Sequence, residues 1–141
     1  MDQICYRELR SYKYQTMREY KINIDIKPSK YLKYKFMSLS MGGTLTIREG
    51  YAWDGPSGPT IDTPNFMRGS LVHDVLYQIM RLGGLDHKKY RKRADEILRE
   101  MCVEDGMSAF RAWYVYQAVW WFGESSATPK PEPEVEVICV P

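Results

Sequence analysis

Tyr20-Lys21-Ile22-Asn23-Ile24-Asp25-Ile26-Lys27 decides the first half of the fold, because its apolar and polar residues alternate without a break. Period two is the repeat of a strand with one face buried and the other in water. Pro28-Ser29 punctuates the run, and Leu32, Tyr34 and Phe36 then alternate with Lys33 and Lys35. Met41-Gly42-Gly43-Thr44 reads as a hairpin turn, after which Leu45 and Ile47 carry the pattern toward Tyr51 and Trp53. The expectation is a small N-terminal antiparallel sheet of three or four strands with one polar face.

Past a loop rich in glycine and proline the period lengthens. Val72, Val75, Leu76, Ile79 and Met80 predict a helix over about 65–82, stopped by Gly83-Gly84. Asp86 is a good N-cap for a second helix, in which Tyr90, Ala94, Ile97, Leu98 and Met101 recur at helical spacing until Gly106. A third helix, about 108–122, carries Phe110, Trp113, Tyr114, Val119, Trp120, Trp121 and Phe122. Its aromatics are expected in the core, since two long helices before it need a partner. The fold class is therefore α+β: a sheet, then a three-helix unit, in one domain over 1–123. From Glu124 onward, Ser125-Ser126-Ala127-Thr128-Pro129-Lys130-Pro131-Glu132-Pro133 predicts an extended tether over 124–141. Val135, Val137 and Cys139 near its end could add a strand to this sheet or to a partner's.

A chain of 141 residues can bury roughly two-thirds of its unfolded surface around one core. Its net charge of +2 is too small to argue for nucleic acid. Lys88, Lys89, Arg91, Lys92 and Arg93 form a dense cluster that could meet phosphate, but a solvated helix face is the simpler reading, so nucleic acid is not expected as a partner. Three widely spaced cysteines, Cys5, Cys102 and Cys139, fit a reducing compartment better than a disulfide framework. Met1 to Leu9 has no apolar segment of the signal-peptide kind, and no stretch approaches the ~20 apolar residues of a membrane span. The expected protein is soluble where it is made.

The chemistry gathers around His73. On a helix His73 and Tyr77 share a face, while Asp74 points about a quarter-turn away. A neutral histidine needs a partner on one ring nitrogen to fix its tautomer, leaving the other free to take a proton from water. Asp95, on the next helix of an antiparallel pair, is spaced to be that partner, and Tyr77 could hold its carboxylate still. Asp74 would then be free to bind a cation together with carbonyls of the loop 53–62, and Ca2+ suits such oxygen ligands. The same four residues also read as a buried polar network that locks two helices together. His87 sits beside a helix cap and is expected to be inert.

Gly50-Tyr51-Ala52-Trp53-Asp54-Gly55-Pro56-Ser57-Gly58-Pro59, Leu71-Val72-His73-Asp74-Val75-Leu76-Tyr77, Arg93-Ala94-Asp95 and Arg111-Ala112-Trp113-Tyr114-Val115-Tyr116 together resemble an uncharacterised domain family of tailed phages and prophages, over roughly 44–123. That resemblance implies a virion component or an accessory factor in the host cytoplasm, acting on a phage or host protein. More distantly, the His-Asp-x-x-Tyr helix, the later Asp and the preceding Gly/Pro loop are similar to phospholipases A2 of the disulfide-free kind found in parvovirus capsids. The likeness implies His73 as the water-activating base, Asp95 as its orienting acid and Tyr77 as a brace. It also implies Asp74 as a calcium ligand, with the Tyr51–Gly58 loop, including Trp53, Gly55 and Gly58, giving carbonyl ligands. Two functional expectations follow. One is a calcium-assisted hydrolase of phospholipid acyl esters, meeting the membrane through the Lys88–Arg93 cluster and Trp120-Trp121-Phe122. The other is a non-enzymatic virion or accessory protein in which the polar set is structural.

Overall fold

The computed structural model describes residues 4–8, 14–53 and 63–129. Among these residues seven short strands precede the helices: β1 (Tyr6–Glu8), β2 (Tyr14–Thr16), β3 (Tyr20–Asn23), β4 (Leu32–Lys33), β5 (Met37–Leu39), β6 (Thr44–Ile47) and β7 (Ala52–Trp53). They form two antiparallel sheets, ordered β1-β2-β7 and β3-β6-β5-β4. The alternating run forms a strand over its first half, Tyr20–Asn23, and its burial goes on alternating to Lys27. Tyr20 and Ile22 face Ile47 and Leu45, which in turn oppose Met37 and Leu39 on the other side. Leu39, Leu45 and Ile47 are fully buried, whereas Lys21, Asn23 and Thr44 point to water.

The first sheet departs from the expectation. Trp53 does not extend the alternating sheet but pairs with Tyr14 in a second one, beside a segment in which the composition signals no strand. Thr16 makes that change of sheet possible. Its hydroxyl donates to the Arg48 carbonyl at 2.9 Å and accepts from the Tyr51 amide at 3.0 Å, while its own amide reaches the Tyr51 carbonyl at 2.8 Å. One buried threonine thus satisfies the backbone of the corner that would otherwise lose its partners.

Helix α1 (Pro64–Arg81) starts with proline in its first turn and ends on Leu82. Gly83 has a φ of 79°, its amide bonds to the Met80 carbonyl, and the Gly84 amide bonds to that of Ile79. This paired closure needs a left-handed residue, which glycine adopts without a Cβ clash. Helix α2 (His87–Glu104) starts on Asp86, whose carboxylate accepts from the Lys88 amide at 3.0 Å. Helix α3 (Ala109–Phe122) starts on Ser108, which accepts from the Arg111 amide. Leu71, Val72, Val75, Leu76, Ile79 and Met80 of α1 lie in one core with the inner faces of the strands. Each such fully buried side chain contributes roughly 1.5–3 kcal/mol. Arg68, nearly buried, ties α1 to the end of α2 through Asp105 and Glu104 and to β3 through the Tyr20 hydroxyl.

Two expectations are corrected in the helices. The aromatics of α3 from Phe110 to Trp121 are not its core face, and the Phe122 side chain lies outside the described ones. Ala112, Val115, Ala118 and Val119 are buried, while Phe110 is 76% and Trp121 72% exposed. Small side chains let α3 approach α2 closely, so the bulky ones turn outward. Nor does an extended tether begin at Glu124: Glu124–Ala127 form a helical turn, α4, with Ala127 fully buried and the Ser126 carbonyl accepting from Arg81 at 2.8 Å. The tether and terminal strand expected beyond 129, with Val135, Val137 and Cys139, lie outside the described residues.

Candidate functional site

The seam between α1 and α2 is where polar side chains enter the core. His73 and Tyr77, one turn apart, bring their rings to 4.1 Å between centroids. Asp95 meets both from α2. Its Oδ1 lies 2.7 Å from His73 Nε2 and accepts the Tyr77 hydroxyl at 2.6 Å. The carboxyl group is fully buried, and its Oδ2 has no hydrogen-bond partner among the described residues. A carboxylate at that place accepts from Nε2–H, which leaves the imidazole lone pair on Nδ1. The His73 side chain retains 13% of its exposure, so the ring is neither sealed nor free. Burial first, and the negative charge of Asp95 second, push the Tyr77 phenol far above its ordinary ionisation range, so it stays a donor.

Sequence reasoning missed the fourth member. Arg91 sits one turn before Asp95 on the same inward face of α2. Its Nε donates to the Tyr77 hydroxyl at 3.3 Å, and its Nη2 donates to the carbonyls of Val119 at 3.3 Å and of Trp120. The guanidinium also lies 4.6 Å from the Trp120 ring centroid. A cation over the C-terminal carbonyls of α3 is favourably placed against that helix's dipole. The chain of donors runs Arg91 to Tyr77 to Asp95, with His73 entering from the other side. The i, i+4 spacing of Arg91 and Asp95 was the available signal, hidden by the lysines around it. The expected solvated cluster therefore divides: Lys88, Lys89 and Lys92 are exposed, Arg91 is buried, and Arg93 turns to Glu100 at 3.0 Å.

Asp74 stands apart from this network. Its Oδ2 is 3.2 Å from the hydroxyl of Tyr51, which also reaches Gln78 Oε1 at 2.8 Å. Tyr51 is delivered there by the corner at Thr16, two residues before Trp53. Trp53 itself is buried, with its indole N–H 3.4 Å from Ser70 Oγ, so only its backbone could serve a metal. Gly55 and Gly58, the other expected carbonyl ligands, lie outside the described residues. Among the described residues no group of three or more His, Cys, Asp or Glu side chains could hold a metal ion. Of the expected ligand set only Asp74 and the Trp53 backbone lie among the described residues, and the Asp74 carboxylate accepts from the Tyr51 hydroxyl. His87, at the start of α2, takes no part in the site.

No helix among the described residues is long and apolar enough to cross a membrane. No curated protein and no solved structure matches the chain significantly. A family model does: residues 32–119 match a family described as protein of unknown function (DUF1353). The match runs from β4 through most of α3 and takes in Trp53, His73, Asp74, Tyr77, Arg91 and Asp95. Covering more than half of the sequence, it shows that the chain belongs to this uncharacterised family, DUF1353.

Proposed function

We propose that the protein is a hydrolase in which His73 activates water against an acyl ester, with phospholipid as the substrate class and Ca2+ as an electrophilic aid. One observation carries the reading. His73 is steadied through Nε2 by a buried carboxylate, while its side chain keeps 13% of its exposure. A network built only for stability satisfies its buried polar atoms, and Asp95 Oδ2 has no partner among the described residues.

The step this set suits is a direct one. Nδ1 takes a proton as the water oxygen attacks the acyl carbon, and Asp95 stabilises the imidazolium that forms. The same proton then goes to the departing alkoxide, giving a fatty acid and a lysolipid and restoring the base. Tyr77, kept protonated, holds Asp95 in register. Base catalysis of this kind is worth about 10²–10⁴-fold. Ca2+, held by Asp74 and carbonyls of Trp53, Gly55 and Gly58, would supply stabilisation of the developing negative charge. The resemblance to a tailed-phage family and to parvovirus-type phospholipases A2 supports a place in a virion or an infected cell.

A second reading draws on Arg91. Its bonds to Tyr77 and to the end of α3 fasten three helices through one polar chain, as a non-enzymatic virion or accessory protein that binds a viral or host partner would need. Fatty-acid release from mixed phospholipid vesicles, with and without Ca2+, separates the two. The hydrolase reading expects release that vanishes in His73→Gln and in chelator. Release absent from the native chain across an acyl-ester panel, together with a lower melting temperature in His73→Gln, leaves the scaffold.

A further inference from the structure

The outward face of α3 has no role in the chemistry above. Phe110, Trp113, Tyr114 and Trp121 fall at i, i+3, i+4 and i+11, a single stripe opposite the buried Ala112, Val115 and Val119. They are 76%, 45%, 44% and 72% exposed. Scattered exposed hydrophobics need no explanation, but four exposed aromatics on one helix face, interrupted only by Gln117, do.

Its surroundings carry a definite charge. Helix α3 contains no acidic residue. Along its flank runs α2, on which the exposed Lys88, Lys92 and Arg99 share another stripe at i, i+4 and i+11. Contacts join the two helices beside the aromatic stripe, at Tyr116 and Trp120 on its flank. The Arg99 guanidinium lies 5.8 Å from the Tyr116 ring centroid, and Arg91 packs on Trp120. Of the α2 carboxylates near these cations, Asp95 is buried, and Glu96 and Glu100 lie against Arg93. The result is an aromatic ridge flanked by cations, with the exposed acids Asp86 and Glu124 at the ends of the neighbouring helices.

We infer that the α3 ridge and the Lys88–Lys92–Arg99 stripe form a docking surface for an anionic lipid bilayer. Amphipathic aromatic rings settle at the headgroup level, and each adjacent cation gains from the negative surface potential. A protein partner of the same apolar character would not require the bordering cations. As a route to substrate the surface rests on the hydrolase reading; as a binding surface it does not.

The test uses the full chain carrying His73→Gln, so that vesicles stay intact, and reads flotation with phosphatidylglycerol-containing or pure phosphatidylcholine vesicles. The expected result is binding to the anionic vesicles that weakens with salt. It should fall by about tenfold or more in Phe110→Ser/Trp121→Ser at an unchanged melting temperature, and lose its anionic preference in Lys88→Glu/Lys92→Glu. No flotation with either vesicle, or flotation indifferent to the aromatic pair, overturns the inference. Self-association that the aromatic pair abolishes, without vesicle binding, overturns it too and gives the face to a second copy. Flotation by a chain whose native form releases no fatty acid removes the hydrolase and leaves the surface standing.

Discussion

His73 Nε2 lies 2.7 Å from Asp95 Oδ1, across the α1–α2 seam, and the carboxyl group it meets is wholly buried. The bond determines which nitrogen is available for chemistry. In Asp95→Asn the carboxamide can donate to Nε2, moving the ring proton to Nδ1 and removing the base. Acyl-ester hydrolysis should drop about 10²–10⁴-fold while the fold survives. Turnover measured beside the nitrogen-15 shifts of the imidazole checks both halves. An unaltered tautomer with unaltered turnover defeats the assignment.

Removing the Tyr77 hydroxyl takes one donor from a buried acceptor and one acceptor from Arg91. Tyr77→Phe should therefore cost about 1–3 kcal/mol in denaturant unfolding, more than a surface hydroxyl of the same kind. A loss within a few tenths of a kcal/mol would mean that the network contributes little.

The same phenol sets an alkaline limit. Its folded ionisation is raised above the ordinary 10.0 by burial and by Asp95, whereas the unfolded chain ionises near that value. The stabilisation is fully present below about pH 10 and is lost as pH climbs toward the raised folded value. Melting temperature should fall on going above about pH 10, less steeply in Tyr77→Phe. Tyr34, raised by burial as well, leaves a residual slope.

Gly123 joins α3 to α4 against the back of Tyr77. A Cβ there would stand 2.9 Å from the Tyr77 hydroxyl and 2.5 Å from the Val119 carbonyl oxygen. Gly123→Ala should lower stability by about 1–3 kcal/mol and displace the phenol from Asp95, so any hydrolysis should fall with it. Stability lost with hydrolysis intact would separate Tyr77 from the reaction.

Cys102 of α2 is buried among side chains of α1 and α3, and burial, followed by the charge of Asp105, pushes its thiol up to about 12. The thiolate is the reactive form. Peptide mass spectrometry after treatment with an alkylating reagent at neutral pH should find Cys102 unmodified in the native protein and modified in denaturant. Labelling under native conditions would show that the seam opens.

Local signals carried far in this chain. The period-two alternation that begins at Tyr20, the cap at Asp86 and the stop at Gly83 are short-range stereochemistry, so they could be read without a structure. The meeting of His73, Tyr77 and Asp95 was also legible, because two helices joined by a tight turn leave little choice of register. The roles of those residues, and of Asp74 with the loop after Trp53, are chemistry that geometry alone does not assign.

What the linear order determined, then, is an α+β chain with a His/Tyr/Asp meeting point, because helix and strand periods and the capping residues act within a few positions. Tertiary structure alone decided the pairing of β2 with β7, the burial of Arg91 among exposed lysines and the outward turn of the α3 aromatics. Each depends on partners far along the chain. On a helix that is apolar on every side, periodicity cannot say which stripe faces inward; close packing against α2 chose the alanines and valines and left the large rings to face out.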